Sequence, residues 1–108
     1  MTALVWCTFP DRASAEAVAR QLLDERLIVC ANIVEGMTSV FLWQGSVDHA
    51  TECGALFKTA ADVLDTVVER IAALHPYQTP AVLGWPCPAA AQPTREWIEG
   101  ALTGARTE

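Results

Sequence analysis

Positive charge is scarce in this sequence. Its 108 residues hold seven lysines and arginines against thirteen acidic residues, which gives a formal net charge of −6. Lys58 is the only lysine, and the arginines are scattered along the chain. A protein that binds nucleic acid needs clustered Lys and Arg side chains to neutralise the phosphates. We therefore expect no nucleic acid among the partners of this protein.

Long apolar runs are missing as well. The longest apolar-rich stretch, residues 27–34, is interrupted by Asn32, whereas a membrane-spanning helix needs about 20 consecutive apolar residues. The first ten residues contain no basic segment followed by a long apolar segment, as a secretory signal would. The sequence thus predicts a cytoplasmic protein without a membrane partner.

Paired cysteines and catalytic motifs are also absent. No two of the four cysteines form a Cys-x-x-Cys pair, which excludes a zinc ribbon and a thioredoxin-type motif, and in a reducing compartment we expect free thiols. There is no Gly-rich phosphate loop, and neither His49 nor His75 stands beside a cysteine that it could activate. We therefore expect that the protein is not an enzyme.

What the sequence does contain is the pattern of one α+β domain over residues 1–108, with 52% hydrophobic residues to form its core. Residues 2–9 are rich in β-formers, Asp11 can cap the helix that follows, and the apolar periodicity of that helix ends near Arg26. We predict that a strand over 27–34 bends at Glu35-Gly36, resumes over 37–43, and turns at Gln44-Gly45 into a strand over 46–58.

The second half repeats the order of helix and strand. Thr59 to Asp62 has the form of a capping box and predicts a helix start, and Pro76 stops that helix. A short strand over 80–85, a loop over 86–93 and a helix over 93–102, anchored by Trp97, Ile98 and Leu102, complete the chain. The order β-α-β-β-α-β predicts a ferredoxin-like sandwich with an additional C-terminal helix.

The central hairpin is too long for one subunit. Residues 46–58 would span about 40 Å at about 3.3 Å per residue, whereas a compact domain of this length is roughly 34 Å across. The tip of the hairpin should therefore project, although Val40 to Trp43 place apolar groups on both of its faces. A symmetric homo-oligomer would cover them. The alternative is a hairpin that curls back onto its own helices.

An ordered set of motifs resembles the CutA family of divalent-cation-tolerance proteins over residues 4–102. The motifs are Thr8-x-Pro10-Asp11, Glu25-Arg26-Leu27-x-x-Cys30-Ala31-Asn32-Ile33, Thr38-Ser39-Val40-Phe41-x-Trp43-x-Gly45, Lys58-Thr59, His75-Pro76-Tyr77-x-x-Pro80 and Trp97-Ile98. The resemblance implies a ferredoxin-like homotrimer with interlocked hairpins and a non-enzymatic role in the response to divalent cations, copper in particular. The family is also similar to the trimeric PII signalling proteins, which implies as an alternative a small-molecule sensor or scaffold with no metal role.

The resemblance also implies candidate site residues. The copper site proposed for the family uses a cysteine of the first strand, a histidine near the His-Pro-Tyr turn and a glutamate. Cys7 matches that cysteine and His75 is the candidate histidine, but Ala81 stands where many members have the glutamate. Four residues are candidates for a ligand cleft between subunits that would orient a small anion. These are Trp43, Lys58, His75 and Tyr77. Each has a structural alternative, as interface packing, surface charge or helix-ending turn.

Overall fold

The structure, a computed structural model, describes the backbone of residues 1–106 and the side chains of residues 1–102. Four strands and three α-helices follow one another as β1 (Thr2–Phe9), α1 (Arg12–Asp24), β2 (Cys30–Trp43), β3 (Ser46–Ala60), α2 (Leu64–Leu74), β4 (Val82–Cys87) and α3 (Gln92–Arg106).

The strands form one sheet in the order β2-β3-β1-β4, and every neighbouring pair is antiparallel. This order, with α1 and α2 as the connections, confirms the predicted ferredoxin-like fold. Alternate residues of β1, among them Val5 and Phe9, are fully buried against the two helices together with Phe57 of β3. The other face of the sheet carries the intervening residues, because successive side chains of a strand point to opposite faces.

The turn that joins β2 and β3 lies where the sequence predicts it. Gln44 and Gly45 both have positive φ angles, 50° and 82°, as a two-residue type I′ hairpin turn requires. The register shifts between Val34 and Met37, and Gly36 between them has a φ of 73°, which confirms the predicted bulge. The ribbon contributes to a molecule with a longest dimension of 46 Å.

Two predicted boundaries around the first helix and second strand differ from the structure. Asp11 does cap α1, since its Oδ1 accepts a hydrogen bond from the backbone N–H of Ser14 at 2.8 Å. The helix, however, ends at Asp24, and Arg26 adopts a left-handed conformation with φ 59°. The chain turns at Glu25 and Arg26, residues 27–29 connect this turn to the sheet, and β2 begins at Cys30 rather than at residue 27.

The predicted capping box is wrong. Thr59 belongs to β3, where it is buried and its hydroxyl donates to the carbonyl of Leu27 at 2.6 Å. The chain then passes through a 3₁₀ turn, Ala61–Val63, before α2 begins at Leu64. The hydroxyl serves a long-range contact between strand and turn, which local sequence spacing does not reveal.

The C-terminal part is also shifted. β4 runs over Val82–Cys87 rather than 80–85, and α3 begins at Gln92. Ile98 and Leu102 are buried against Ala60, as predicted, but Trp97 is half exposed and does not anchor α3. Adjacent positions on a helix are about 100° apart, so Ile98 and Trp97 do not face the same surface.

Candidate functional site

A groove of about 850 Å³ lies between one face of the hairpin and the loop that follows α2. We call it the hairpin groove. The hairpin lines it with alternate residues of β2 and β3, including the paired residues Phe41 and Asp48, and with Trp43 and Glu52. Tyr77 stands on the loop side. The groove thus combines aromatic side chains with two carboxylates.

Glu52 and Tyr77 join the two walls of the groove. The Tyr77 hydroxyl donates to Oε2 of Glu52 at 2.8 Å, and Glu52 is only 9% exposed. Burial, together with the hydrogen bond and the negative charge of Glu52, raises the pKa of Tyr77 to about 12. The phenol therefore remains a protonated donor at physiological pH and holds the loop to the hairpin.

His75 lies behind this loop and attaches it to β1. Its Nε2 is 2.7 Å from the carbonyl oxygen of Thr8, and its Nδ1 accepts the backbone N–H of Tyr77 at 3.0 Å. A carbonyl only accepts, so Nε2 donates this hydrogen bond, and both ring nitrogens have a partner. The ring also stacks on Phe9 at a centroid distance of 4.4 Å. His75 therefore has a structural role in this chain, because it attaches the loop after α2 to β1.

The residues proposed for copper do not fit that metal. To bind copper, a cysteine must offer a thiolate and a histidine a free imidazole lone pair. Cys7 is fully buried in the core, where burial and then the charge of Glu52 raise its pKa to about 12, and the lone pair of His75 is occupied by Tyr77. Ala81, which lines the hairpin groove, adds no carboxylate. Among the described residues, no three His, Cys, Asp or Glu side chains are grouped to hold a metal ion.

The structure separates the four residues that the sequence proposes for a ligand cleft. Trp43 and Tyr77 both line the hairpin groove, and His75 supports it from behind. Lys58 pairs with Leu4 and Cys30, six positions along β3 from Glu52, which corresponds to about 20 Å. Within one chain Lys58 is therefore not part of this groove. A cleft that Lys58 shares with another subunit stays a prediction.

Sequence reasoning missed the two carboxylates of the groove and the role of Phe41. A usable signal was present, since a two-residue turn at Gln44-Gly45 places Phe41 opposite Asp48. Alternation along β3 then puts Glu52 on the same face as Asp48. What the sequence does not reveal is that the loop after α2 folds over this face.

The hairpin and the sheet expose further large apolar side chains, of which Leu42 also lines the groove. On the face of the sheet opposite α1 and α2, which we call the uncovered face, Leu83 is 64% exposed and Trp85 is 42% exposed. On the outer half of the hairpin, Val40, Leu42 and Val47 are each at least 70% exposed. Monomeric proteins rarely expose contiguous apolar surface of this kind. No helix among the described residues has the length and apolar content that would let it traverse a lipid bilayer.

Comparison with known proteins agrees with this architecture. The family model described as CutA1 divalent ion tolerance protein matches residues 3–101. The divalent-cation tolerance protein CutA of Pyrococcus horikoshii is 45% identical over 80 residues, which cover 74% of this chain and 78% of that protein. The CutA protein of Thermus thermophilus is 37% identical over 99 residues, 92% of this chain and 93% of its own length.

A solved structure shows the same fold. The CutA of Archaeoglobus fulgidus, described as a periplasmic divalent cation tolerance protein, superposes with a TM-score of 0.89 at 29% identity and covers 94% of this chain and 99% of its own. These relatives bear the name of a tolerance protein and not of an enzyme. From the matched length and the shared fold, this chain belongs to the CutA family of divalent-cation-tolerance proteins.

Proposed function

We propose that this protein acts as a non-enzymatic homotrimer in divalent-cation tolerance and that it is cytoplasmic. The observation that carries the proposal is the apolar surface that a single chain leaves exposed, represented by Leu83 and Trp85 on the uncovered face and by Val40 and Leu42 on the hairpin. Edge strands β2 and β4 have unpaired outer edges within one chain. Subunits that pack on these surfaces would bury the exposed apolar side chains and cover the unpaired strand edges.

Two further observations support the absence of catalysis and the location. The thiol of Cys7 is held protonated by burial, so it is not an activated nucleophile. The four cysteines are free thiols, which agrees with a reducing compartment. Cell fractionation of the expressed protein tests the location, because recovery in the periplasmic fraction would contradict it.

The oligomeric state is tested by native mass spectrometry of the purified chain. Leu83→Glu places a charge on the uncovered face, and we expect it to convert the trimer into monomers. Ala72→Glu is the matched control, because Ala72 is exposed on α2, away from that face. A wild-type monomer, or a trimer that survives Leu83→Glu as well as it survives the control, would contradict the proposed interface.

Copper binding is a more specific proposal than divalent-cation tolerance, and the family resemblance supports it. Because Cys7 and His75 of one chain do not offer free ligand atoms, copper would need a site shared between subunits. The same spectra with a slight excess of copper(II) provide the test. Uptake in a fixed ratio by the trimer, together with no uptake by monomeric Leu83→Glu, supports a shared site, and uptake that Cys7→Ser leaves unchanged shows that Cys7 is not a ligand. A trimer that takes up no copper removes the metal from the proposal.

The hairpin groove favours a second function, that of a small-molecule sensor comparable to the PII proteins. At about 850 Å³ the groove has the size of a ligand pocket. One of its walls is the projecting hairpin, which is also the element proposed to contact the next subunit. A ligand held between the hairpin and the loop of Tyr77 would therefore influence subunit packing. Ligand-dependent change in hydrogen exchange of the hairpin tests this function.

A further inference from the structure

The charge of the hairpin groove has one sign. Among the described residues, Asp48 and Glu52 are the only charged ones that line it, and no lysine, arginine or histidine of that part of the chain does. Neither carboxylate takes part in an ion pair within the part of the chain that the structure describes. Since the chain as a whole carries −6, this groove concentrates negative potential and attracts cations.

The Glu52 carboxylate is only half satisfied. Its Oε2 accepts the Tyr77 hydroxyl, whereas Oε1 has no hydrogen-bond donor among the described residues. The residue is nine-tenths buried and lines the groove. Oε1 is not among the buried polar atoms that lack a partner, so it is open to the groove. It can therefore accept a hydrogen bond from a ligand that enters there.

The spacing of the two carboxylates discriminates between kinds of cation. Asp48 and Glu52 lie on the same strand four residues apart, which corresponds to about 13 Å. Both carboxylates cannot ligate one metal ion at that separation, since Ca²⁺ and Mg²⁺ take their oxygen ligands at about 2.0–2.6 Å. A long molecule with positive charges at its two ends fits the same spacing.

Aromatic side chains line the groove beside the two carboxylates, and Ala50 with its partner Ser39 lies between them along the strands. Phe41, Trp43 and Tyr77 line the groove and are 37%, 50% and 36% exposed, in contrast to the fully buried Phe9 and Phe57 of the core. Aliphatic chains pack on such surfaces, and ammonium groups are attracted to the faces of aromatic rings. The groove thus presents contacts for the methylene groups as well as for the charges of a linear amine.

We infer that the hairpin groove binds a linear aliphatic polyamine, with one ammonium group at Glu52, another at Asp48 and the carbon chain along Phe41 and Tyr77. The inference rests on the sensor function proposed above and names the chemical class of its ligand. An ammonium group donates to the free oxygen of Glu52 and leaves the bond from Tyr77 intact. A small anion is excluded from this groove by the two carboxylates.

Isothermal titration of the wild-type protein with spermidine tests the inference, at fixed ionic strength and without added metal. We expect saturable binding with one site per chain. Glu52→Gln should weaken it by more than about 10-fold, because a buried charge-assisted hydrogen bond is lost. Asp48→Asn should weaken it about 2- to 5-fold, as for an exposed ion pair. Butylamine and ethylenediamine, which cannot span the two carboxylates, should bind far more weakly than spermidine.

Controls separate site binding from attraction to an acidic protein. Glu69→Gln removes one charge from the exposed surface of α2, outside the groove, and should leave the affinity unchanged. Thermal unfolding of each variant shows that it is folded. Absence of saturable binding, equal affinity for ethylenediamine, or equal weakening by Glu69→Gln and Glu52→Gln would each overturn the inference.

Native mass spectrometry of the same samples distinguishes this inference from the assembly proposal. A trimer that binds no spermidine would overturn the inference and leave the assembly proposal intact. A monomer that binds spermidine with the expected dependence on Glu52 would support it and contradict the trimer.

Discussion

His75 provides the sharpest test of how the site is built, because His75→Ala would remove several contacts of its ring together. The ring bridges the carbonyl of Thr8 and the N–H of Tyr77 and stacks on Phe9, and its centroid lies 4.8 Å from that of the Tyr77 ring. Two hydrogen bonds contribute about 0.5–1.5 kcal/mol each, and an aromatic pair contributes about 0.5–1.5 kcal/mol. We therefore expect the free energy of unfolding to fall by about 2–4 kcal/mol.

Urea unfolding followed by tryptophan fluorescence measures this effect at a fixed protomer concentration, since assembly contributes to apparent stability. His49→Ala is the matched control, because His49 is exposed on the hairpin and its side chain makes no hydrogen bond in the described part of the chain. Hydrogen exchange should show that the Tyr77 amide loses protection in His75→Ala. Equal midpoints for the two variants, or an unchanged Tyr77 amide, would refute the structural role of His75.

Three further perturbations test other parts of the structure. Gly54→Ala should destabilise the protein by about 1–3 kcal/mol in urea unfolding, because the new Cβ would overlap the Trp6 ring and lie 2.8 Å from the Met37 sulfur; an unchanged midpoint would contradict that packing. Arg70 holds the pKa of Glu25 at about 2, so the stability that this carboxylate adds is present above pH 4.5 and disappears as the pH falls towards 2. Glu25→Gln should therefore lower the urea midpoint above pH 4.5, and its difference from the wild type should shrink towards pH 2. A difference that does not change with pH would be evidence against the ion pair. The thiol of Cys7 has a pKa of about 12, so at pH 8 the native protein should resist alkylation there, as peptide mass spectrometry would show, and rapid labelling would mean that the core is open.

The local sequence was sufficient for the elements whose cause is local. Asp11 caps α1 through a hydrogen bond three residues away, and the Gln44-Gly45 pair turns the hairpin through its own backbone preferences. Gly36 marks the bulge for the same reason. Together with alternating and 3.6-residue apolar patterns, these signals were enough to predict the ferredoxin-like order of elements.

The elements predicted wrongly are those in which a distant contact overrides a local preference. Thr59 has the sequence context of a helix cap, but its hydroxyl bonds to Leu27, thirty-two residues away. Trp97 is apolar and yet half exposed, because Ile98 and Leu102 occupy the helix face that meets Ala60. The sequence shows that a side chain can form a hydrogen bond or be buried, but tertiary packing determines which partner it bonds to and whether it is buried.

The candidate site likewise combines features with local causes and features that depend on long-range contacts. The composition of the hairpin wall follows from local rules, since turn geometry and alternation align Phe41, Asp48 and Glu52 on one face of the hairpin. The position of the loop after α2 over that face depends instead on long-range packing, in which Tyr77 bonds to Glu52 and His75 bonds to β1. The physical reason is that these hydrogen bonds join residues 25 and 67 positions apart, and the chain forms such contacts only after the sheet has brought its strands together.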